Sequence, residues 1–594
     1  MVLSVGVLLM WQQFVAGPQQ QEFRAAQEAA QKAAQAAAPG EAPVNPDIDG
    51  LNGNLNGDET VSVDDALIAT PGRIAIRTAD LEGSINLEGG RIDDLKLTQY
   101  HETVDPESPT IRLLSPRATE HGHYVQQGWI AGGNVGENAL WSAAEGAVLT
   151  PDTPVTLTRE QNGFIFEKTI SVDDRYMFTV EQSVRNNTGE TQNLTPYALV
   201  IQRGVPEDLR RGLVHEGPVG IIGTVLFSRK YNTLKKNDNK AVNESGVGGW
   251  VGITNKYWLA AVVPPQSAEM KASLDNVGTE AAPIFRASYS LPVRSIAPGE
   301  ATTMTSHLFT GAKDVDILQS YEALPEKGGL GVYDFDKAVD WGFLFVLTRP
   351  IFYTLNYFGD LTGNFGLAIL ILTVIIKIIL FPLANKGYES MSKMKKLQPE
   401  IEKLKERSGD DKTKMQQEMM ELYKKEKMNP LAGCFPILLQ MPVFFALYKT
   451  LFITIEMRHE PFILWIKDLS APDPTTIFNL FGLLPFEPTA VPVVGAFLGI
   501  GVLPILMGVA MWFQTKLNPP PADPTQAQIF AMMPFVFVFI FAPFAAGLVL
   551  YWFWNTFLGI IQQWLIMKKN GVSVDWGERI KIPGLGKSDD RENK

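Results

Sequence analysis

The chain has 594 residues, enough for several domains, and a net charge of −12, which argues against general binding to nucleic acid. One cysteine, Cys434, excludes a framework of disulfide bonds. Six scattered histidines show no metal-ligand spacing, so neither a metal nor another cofactor is expected. Residues before position 340 have the composition of a soluble protein, whereas residues 340–567 are densely apolar. The chain is therefore expected to combine a soluble half with a membrane half.

The N-terminal region divides into an apolar segment and a polar one. Residues 1–16 are short for a membrane span and have no basic residues in front of the apolar run. They indicate either a signal peptide with a poor cleavage site or a transmembrane anchor whose first residues precede this start. Residues 17–60 are rich in Gln, Ala, Pro, Gly and Asn, cannot bury a core, and predict a flexible linker.

Residues 61–330 contain short runs of alternating apolar and polar residues separated by turn residues. Examples are FIFEKTISV, YMFTVEQSV and TMTSHLF. Regular spacing of such runs predicts a large antiparallel β-sandwich.

Histidines provide the acid–base candidates of this domain, in the pairs His101-Glu102 and His121-Gly122-His123. No triad, paired carboxylates or phosphate loop accompanies them, so these histidines are expected to be solvated surface side chains. The functional alternative is a groove between the sheets that binds a peptide or a sugar. Its candidate contacts are three tryptophans, Trp129, Trp141 and Trp250.

The apolar half begins with an amphipathic segment and a membrane span. Residues 333–360 are aromatic-rich, with Pro350 in the middle, and predict a broken interfacial helix on the membrane surface. Asn364–Leu383 is nearly all apolar and long enough to cross a bilayer core.

One lysine interrupts this span. Lys377 lies in its inner half, with Thr373 one turn earlier on the same face. A lysine at such depth costs about 2.5–3.5 kcal/mol on insertion scales. Either its stem reaches the cytoplasmic interface near Lys386, or its ammonium group faces a hydrated cavity inside the helix bundle.

A basic, hydrophilic stretch follows at residues 385–429. Its apolar residues recur at three- and four-residue spacing on both sides of a Ser-Gly-Asp-Asp turn, which predicts an antiparallel helical hairpin. The positive-inside rule places this hairpin in the cytoplasm, the sandwich outside and both termini inside. Four methionines are expected to form the seam of the hairpin or, alternatively, to contact apolar substrate segments: Met391, Met394, Met415 and Met419.

Four more spans complete a predicted transmembrane core of five helices over residues 361–567: Leu431–Phe452, Val493–Phe513, Ile529–Phe541 and Leu548–Met567. The first of them contains Gln440. The last carries Tyr551, Asn555 and Gln562 on one helical face. This polar stripe forms either hydrogen bonds between helices or the wall of the cavity that Lys377 enters. Residues 568–594 are expected to be a cytoplasmic tail.

Four stretches of the apolar half closely resemble the YidC family of bacterial membrane-protein insertases. The strongest is NPLAGCFPILLQMPVFFALYKTL, and the similarity covers roughly residues 335–570. The four stretches are Asn429–Leu451, Ile375–Arg407, Phe462–Pro474 and Gly547–Ile566. The resemblance implies a multi-domain membrane protein without enzymatic activity. Its parts are an uncleaved N-terminal anchor, an all-β periplasmic supersandwich, a five-helix core with a cytoplasmic hairpin, and a location in the bacterial inner membrane.

The resemblance also implies a site. Family members carry a cation in a hydrophilic groove that is open to the cytoplasm and to lipid, and Lys377 falls at that position, where many members have arginine. Thr373 matches the groove threonine. On the last helix Tyr551 matches one residue of an aromatic pair, and Trp552 stands where a second tyrosine is common. Because a lysine lacks the planar fork of arginine, bidentate carboxylate binding should be weaker here.

The implied function is that of an insertase and chaperone for inner-membrane proteins. Lys377 would attract the acidic tail of a substrate, which Thr373, Gln440 and Asn555 would solvate while the apolar segment enters lipid. The expected partners are nascent membrane proteins, the Sec translocon with its accessory subunits, the translating ribosome and membrane lipids, and the chain itself is expected to be a monomer. The residues expected to face ribosomal RNA or anionic lipid are Lys393, Lys395 and Lys396.

Two other classes of protein remain open from the residues alone. A small-solute transporter or channel would use Lys377 as a binding site, but it should show inverted repeats of spans, and none is found. A membrane-anchored carbohydrate-binding or carbohydrate-active protein would use the sandwich, and as an enzyme it would need a carboxylate pair in a cleft. Neither class explains the hairpin together with the signature helices.

Overall fold

The chain forms two compact units, Met1–Asp340 and Trp341–Lys594. The computed structural model describes residues 60–70, 72–131, 138–206, 214–236, 241–408, 412–426, 435–476, 478–481, 484, 499–518 and 524–571. The expected anchor, nearly all of the expected linker, Cys434 and residues 572–594 of the expected tail lie outside the described residues.

The first unit is a β-sandwich, as predicted. Its strands alternate inward and outward side chains, as in Phe164–Val172, where every second residue is buried. One sheet has eleven strands, whose bounds are β1 Arg73–Arg77, β2 Leu81–Asn86, β3 Arg91–His101, β4 Thr110–Leu114, β5 His123–Ala131, β7 Val148–Leu149, β11 Gln192–Arg203, β14 Val242–Val247, β17 Glu269–Asn276, β18 Ile284–Ser290 and β19 Arg294–Ile296. The other has nine: β6 Ser142–Ala143, β8 Val155–Gln161, β9 Phe164–Val172, β10 Met177–Asn186, β12 Gly217–Ile222, β13 Val225–Ser228, β15 Gly249–Thr254, β16 Trp258–Val263 and β20 Ala301–Ala312.

The strand order is β14-β17-β18-β11-β5-β3-β2-β1-β7 in the larger sheet, with β19 beside β11 and β4 beside β3. It is β13-β12-β15-β16-β20-β10-β9-β8-β6 in the smaller one. Three short helices accompany the sheets: α1 Val63–Ala69, α2 Tyr231–Lys235 and α3 Val315–Glu322.

A lysine connects the two sheets in the interior of the sandwich. Lys168 of β9 is buried, and its Nζ donates hydrogen bonds to the carbonyl oxygens of Gly90 (3.2 Å) and Gln127 (2.9 Å). Its ammonium group also lies 4.9 Å from the centre of the Trp141 ring. Burial, with a smaller contribution from the neighbouring Arg159, lowers the pKa of Lys168 to about 7.

This depressed pKa predicts a pH-dependent stability. Between pH 7 and 10.5 the unfolded chain holds a proton on Lys168 that the folded chain lacks. The free energy of unfolding therefore rises with pH in this window and falls as the pH returns to 7, by at most about 1.4 kcal/mol per pH unit. Lys168→Met removes this dependence. In thermal unfolding of the full-length chain, the wild-type Tm minus the Tm of Lys168→Met should increase as the pH rises through the window. A Tm difference that stays constant with pH contradicts the prediction, and Lys271→Met, at an exposed lysine of β17, is the control.

The structure corrects two expectations about this domain. His123 is not solvated: it is 6% exposed, its Nδ1 lies 2.8 Å from the carbonyl oxygen of Ile201, and burial lowers its pKa to about 4. Trp250 is fully buried against the Phe335 ring, 5.4 Å away, and is a core residue. Trp129 and Trp141 do line a cavity between the sheets, but its volume of about 20 Å³ is enough for a water molecule and too small for a peptide or a sugar.

The second unit is helical. Its helices are α4 Phe345–Thr362, α5 Phe365–Lys396, α6 Gln398–Ser408, α7 Lys412–Lys425, α8 Phe435–Ile453, α9 Val502–Leu517, α10 Pro524–Phe541 and α11 Ala546–Lys569. Among the described residues, α5 is the one helix long and apolar enough to cross a membrane, and shorter apolar helices cover Gln440–Ile453, Val502–Leu517 and Ala527–Phe541. The shared core is formed by apolar side chains of six helices, including Leu355, Ile369, Leu447, Met507, Phe541 and Leu550.

The helix predicted at residues 333–360 is present, but its predicted start and its predicted break at Pro350 are wrong, and its position at the membrane interface stays a prediction. A short 3₁₀ turn at Phe335–Ala338 belongs to the first unit, and α4 begins only at Phe345. The helix then runs through Pro350 without a break. Pro350 lies in the second turn of the helix, where its missing N–H removes a single hydrogen bond.

Helix α5 is longer than the predicted span. It begins after Asn364, whose side chain caps the N–H of Leu367 at 3.0 Å, and it passes Leu383 and continues to Lys396. Its last turns are polar. The helix can continue through them because its backbone hydrogen bonds do not require apolar side chains. Helices α6 and α7 pack against each other. The first arm of this pair therefore begins at Gln398 and not at residue 385.

Candidate functional site

Three polar side chains converge beside one glycine in the helical unit. A Cβ atom built on Gly559 of α11 would lie 3.3 Å from Gln514 Nε2, 3.5 Å from Lys377 Nζ and 3.7 Å from Tyr388 Oη. Lys377 and Tyr388 come from α5 and Gln514 from α9, and both helices pack against α11. Since Gly559 has no side chain, the ammonium group of Lys377 reaches the surface of α11.

The charge of Lys377 is not neutralised locally. Its side chain is half-buried, and among the described residues it forms no salt bridge. Taking a cation partly out of water without an acidic partner is unfavourable, so the site favours an incoming anionic group. Such a group would meet the ammonium, the amide of Gln514 and the hydroxyl of Tyr388.

Two of the predicted residues, Gln440 and Tyr551, connect neighbouring helices. Gln440 Nε2 of α8 donates a hydrogen bond to the hydroxyl of Tyr551 on α11, and Tyr551 is fully buried. Thr373 is also buried, and its hydroxyl donates to the carbonyl oxygen of Ile369 in its own helix, at 2.6 Å. The structure therefore gives Gln440 and Tyr551 a role in joining α8 to α11.

The other predicted residues of α11 have distinct surroundings. Trp552 packs in an aromatic cluster, with ring-centre distances of 4.7 Å to Phe444 and 5.1 Å to Phe541. Asn555 is half-buried. Gln562 is buried, and its Nε2 has no hydrogen-bond partner among the described residues.

Gln514, Tyr388 and Gly559 are the residues that the sequence analysis missed. Gly559 follows Asn555 by four residues and so lies on the predicted polar stripe. The stripe could therefore have indicated that Gly559 belongs to the site. Gln514 is the one carboxamide in α9, which is otherwise nearly apolar until Lys516. Tyr388 lies beyond the predicted end of the span, in the part of α5 that the predicted boundary assigned to the hairpin.

The residues predicted for the hairpin divide into three groups. Met391 and Met394 lie on α5, and Met391 packs with Tyr388 and Ile566, so the assignment of Met391 to the hairpin seam is wrong, while that of Met394 stays a prediction. Lys395 is also corrected: it is 8% exposed, and its Nζ donates to the carbonyl oxygen of Leu517, the last residue of α9, at 3.2 Å. A cation suits this helix C-terminus. The remaining predicted residues are Lys393 and Lys396, which are exposed, Met419, which is half-buried on α7, and Met415, whose side chain lies outside the description.

A β-sandwich followed by a helical unit with a long apolar helix and a half-buried cation is the arrangement expected of a membrane protein with a large domain outside the bilayer. Residues 357–572 match the family described as 60Kd inner membrane protein, and residues 73–354 match the YidC periplasmic domain. The chain belongs to the YidC family of membrane protein insertases. This membership favours the insertase over the transporter and carbohydrate interpretations. It also implies that the protein is not an enzyme, that it resides in the inner membrane and that the sandwich is periplasmic.

Relatives match the chain over nearly its full length. The membrane protein insertase YidC of Nitrobacter hamburgensis is 47% identical over 603 residues, covering 100% of this chain and 98% of that protein. The corresponding protein of Beijerinckia indica is 46% identical over 589 residues, covering 96% and 95%. A crystal structure of an active YidC insertase with its first transmembrane domain resolved is 18% identical, covers 82% of this chain and 91% of that chain, and has a TM-score of 0.36.

Proposed function

We propose that this protein inserts inner-membrane proteins through the polar site that Lys377, Gln514 and Tyr388 form beside Gly559. The observation that carries the proposal is the half-buried ammonium group of Lys377 without an acidic partner among the described residues. Its ligand is an acidic side chain in the hydrophilic tail of a nascent substrate. Gln514 and Tyr388 provide further hydrogen-bond donors, and bonds to a charged acceptor are the stronger ones.

The site lowers the free-energy barrier for moving the hydrophilic tail of the substrate into the membrane. A carboxylate inside the bilayer loses its water, and the site replaces part of that hydration with an ammonium group and two polar side chains. The apolar segment of the substrate then enters lipid, which provides the driving force. Because a lysine binds a carboxylate without the bidentate geometry of arginine, the tail is also released readily.

The proposed topology is multi-pass, with an N-terminal anchor and five core helices, α5 and α8–α11. The α6–α7 pair and both termini lie in the cytoplasm. The exposed lysines at the end of α5, Lys393 and Lys396, agree with the positive-inside rule. They are also the residues available to ribosomal RNA or anionic lipid, whereas Lys395 is engaged with α9. The Sec translocon and the translating ribosome are the proposed partners of a monomeric insertase.

The proposal is tested with liposomes that contain only this protein. The substrate is a small single-spanning protein made in two forms, with an acidic tail and with a neutral tail, and insertion is scored by protection of the tail from external protease. Lys377→Gln should lower insertion of the acidic form by about tenfold, the equivalent of one charged hydrogen bond of ~1.4 kcal/mol. The neutral form should change little.

The matched control is Lys386→Gln, which removes the same charge from the same helix at an exposed position. Lys377→Arg should keep the preference for the acidic tail, since it keeps the charge. Equal losses for both tails, or a loss in the control as large as in Lys377→Gln, contradict a carboxylate-binding role for Lys377.

A further inference from the structure

One irregular segment of the helical unit contacts the N-terminal ends of three helices. This segment, residues 460–475, follows α8 and is called the clamp. Its Asp473 is 6% exposed, and Asp473 Oδ2 accepts a hydrogen bond from the backbone N–H of Leu503 in the first turn of α9, at 2.8 Å. The residue that precedes α9, Gly501, has no side chain to cap the helix. Asp473, distant in sequence, therefore supplies a capping acceptor for α9, and Thr475 Oγ1 accepts from the Val502 N–H beside it at 3.4 Å.

The same segment caps α11 through its backbone. The carbonyl oxygen of Ala471 accepts from the N–H of Ala546 at 2.7 Å, and that of Leu469 accepts from the N–H of Gly547 at 2.9 Å. The first N–H groups of a helix have no partner inside the helix, so these bonds satisfy two of them.

The clamp also holds the start of α5. Asn364, the N-cap of α5, donates from Nδ2 to the carbonyl oxygen of Phe462 at 3.2 Å. The Phe462 ring packs over Gly366, where a Cβ atom would come within 2.0 Å of it. The starts of α5, α9 and α11 are thus held by one stretch of chain.

The residues of the proposed site lie at matching distances from these starts. Lys377 follows its N-cap Asn364 by 13 residues, Gln514 follows Gly501 by 13, and Gly559 follows Ala545 by 14. At a rise of 1.5 Å per residue, each lies about 20 Å along its helix. Fixing the three starts in register therefore brings these residues to the same depth.

We propose that Asp473 is a positioning residue: it sets the register of α9 against α5 and so holds Gln514 beside Lys377. This inference rests on the proposed function for its effect on insertion, but its structural part can be measured independently.

Removing the carboxylate leaves the Leu503 N–H without its acceptor. It also leaves the Thr475 hydroxyl, which accepts from the Val502 N–H at 3.4 Å, without the Asp473 Oδ1 to which it donates at 2.6 Å. The helix then moves along its axis relative to α5, and the polar site loses its geometry while the apolar core remains.

The structural part is tested by spin-label distances in liposomes. The full-length chain carries Cys434→Ser and labels at two exposed positions, Ile379 on α5 and Val509 on α9. Asp473→Ala should shift or broaden the distance distribution by about 1.5 Å or more, the rise of one residue. Asp473→Asn keeps a capping oxygen and should retain the wild-type distribution. A second label pair, Ile379 with Ile561 on α11, should stay unchanged because the clamp holds α11 through backbone atoms.

A second variant disturbs the cap without removing it. A Cβ atom on Gly501 would lie 2.6 Å from Asp473 Cβ and Cγ, so Gly501→Ala should displace the carboxylate and reproduce the shift of the α5–α9 pair. Folding is checked for each variant by size-exclusion profile. An unchanged α5–α9 distance in folded Asp473→Ala and Gly501→Ala overturns the inference.

The functional part of the inference is tested by measuring insertion of the acid-tailed substrate. Asp473→Ala should lower insertion of the acid-tailed substrate by roughly fivefold in the wild-type background and should have little effect in the Lys377→Gln background. Equal losses in both backgrounds mean that Asp473 acts only on stability, which also overturns the inference. If Lys377→Gln leaves insertion unchanged, the proposed function fails while the distance measurement still decides the register role.

Discussion

Gly559→Leu is expected to abolish insertion of acid-tailed substrates while the protein remains folded. A single Cβ atom at this position already lies 3.3 Å from Gln514 Nε2 and 3.5 Å from Lys377 Nζ. The three further carbon atoms of a leucine side chain must occupy the space in which the polar groups meet. They displace the ammonium group and present an apolar surface to the incoming carboxylate, which lowers its solvation. Overpacking of this kind costs about 1–3 kcal/mol of stability, less than a whole domain provides.

Protease protection of the acidic tail in liposomes measures this effect. Gly559→Ala adds only the Cβ atom, at distances of 3.3–3.7 Å from its neighbours, and should retain partial insertion. Phe557→Leu changes an exposed side chain of the same helix and should insert like the wild type. Insertion by Gly559→Leu at more than about half the wild-type rate contradicts a site at this position, because full loss of one charged contact is worth ~10-fold.

The sandwich and the apolar helices are predictable from the sequence because their signals are local. The strand Phe164–Val172 alternates apolar and polar residues, and α5 is apolar over the length of a bilayer. Element boundaries are less predictable. The polar end of α5 has the composition of the hairpin, and it is helical because it packs, through Met391, against Ile566 of α11.

Only part of the candidate site can be predicted from the sequence. Lys377 is conspicuous because a cation interrupts an apolar run. Its neighbours, Gln514 and Tyr388, are brought to it by the register of three helices, which depends on contacts between residues far apart in the chain. Lys395 shows the converse: it has the composition of a solvated basic stretch, and tertiary packing buries it at the end of α9.

Gly249→Ala is expected to destabilise the β-sandwich strongly while leaving insertion in place. Gly249 of β15 has a φ of 121°, a conformation that residues with a Cβ atom rarely adopt. A Cβ atom there would lie 1.9 Å from the carbonyl oxygen of Ile221, on the neighbouring strand β12. The backbone strain and the clash with a paired strand add, and together they should cost about 3 kcal/mol or more.

Gly299→Ala separates the two contributions. Gly299 also has a positive φ, of 82°, but a Cβ atom there meets nothing within 4 Å, so this variant isolates the cost of the backbone conformation. Limited proteolysis of the full-length chain should cleave residues 61–330 rapidly in Gly249→Ala and slowly in Gly299→Ala and in the wild type.

Insertion by the same variants then tests whether the two units work separately. Lys377, Gln514, Tyr388 and Gly559 all belong to the second unit, and the core of that unit is formed by its own helices. If the site acts as proposed, Gly249→Ala should insert the acid-tailed substrate at a rate close to wild type while its sandwich is digested. A loss of insertion in Gly249→Ala, with helices α5 and α8–α11 still folded, would require the sandwich to take part in the reaction. In that case the site around Lys377 would be necessary but not sufficient.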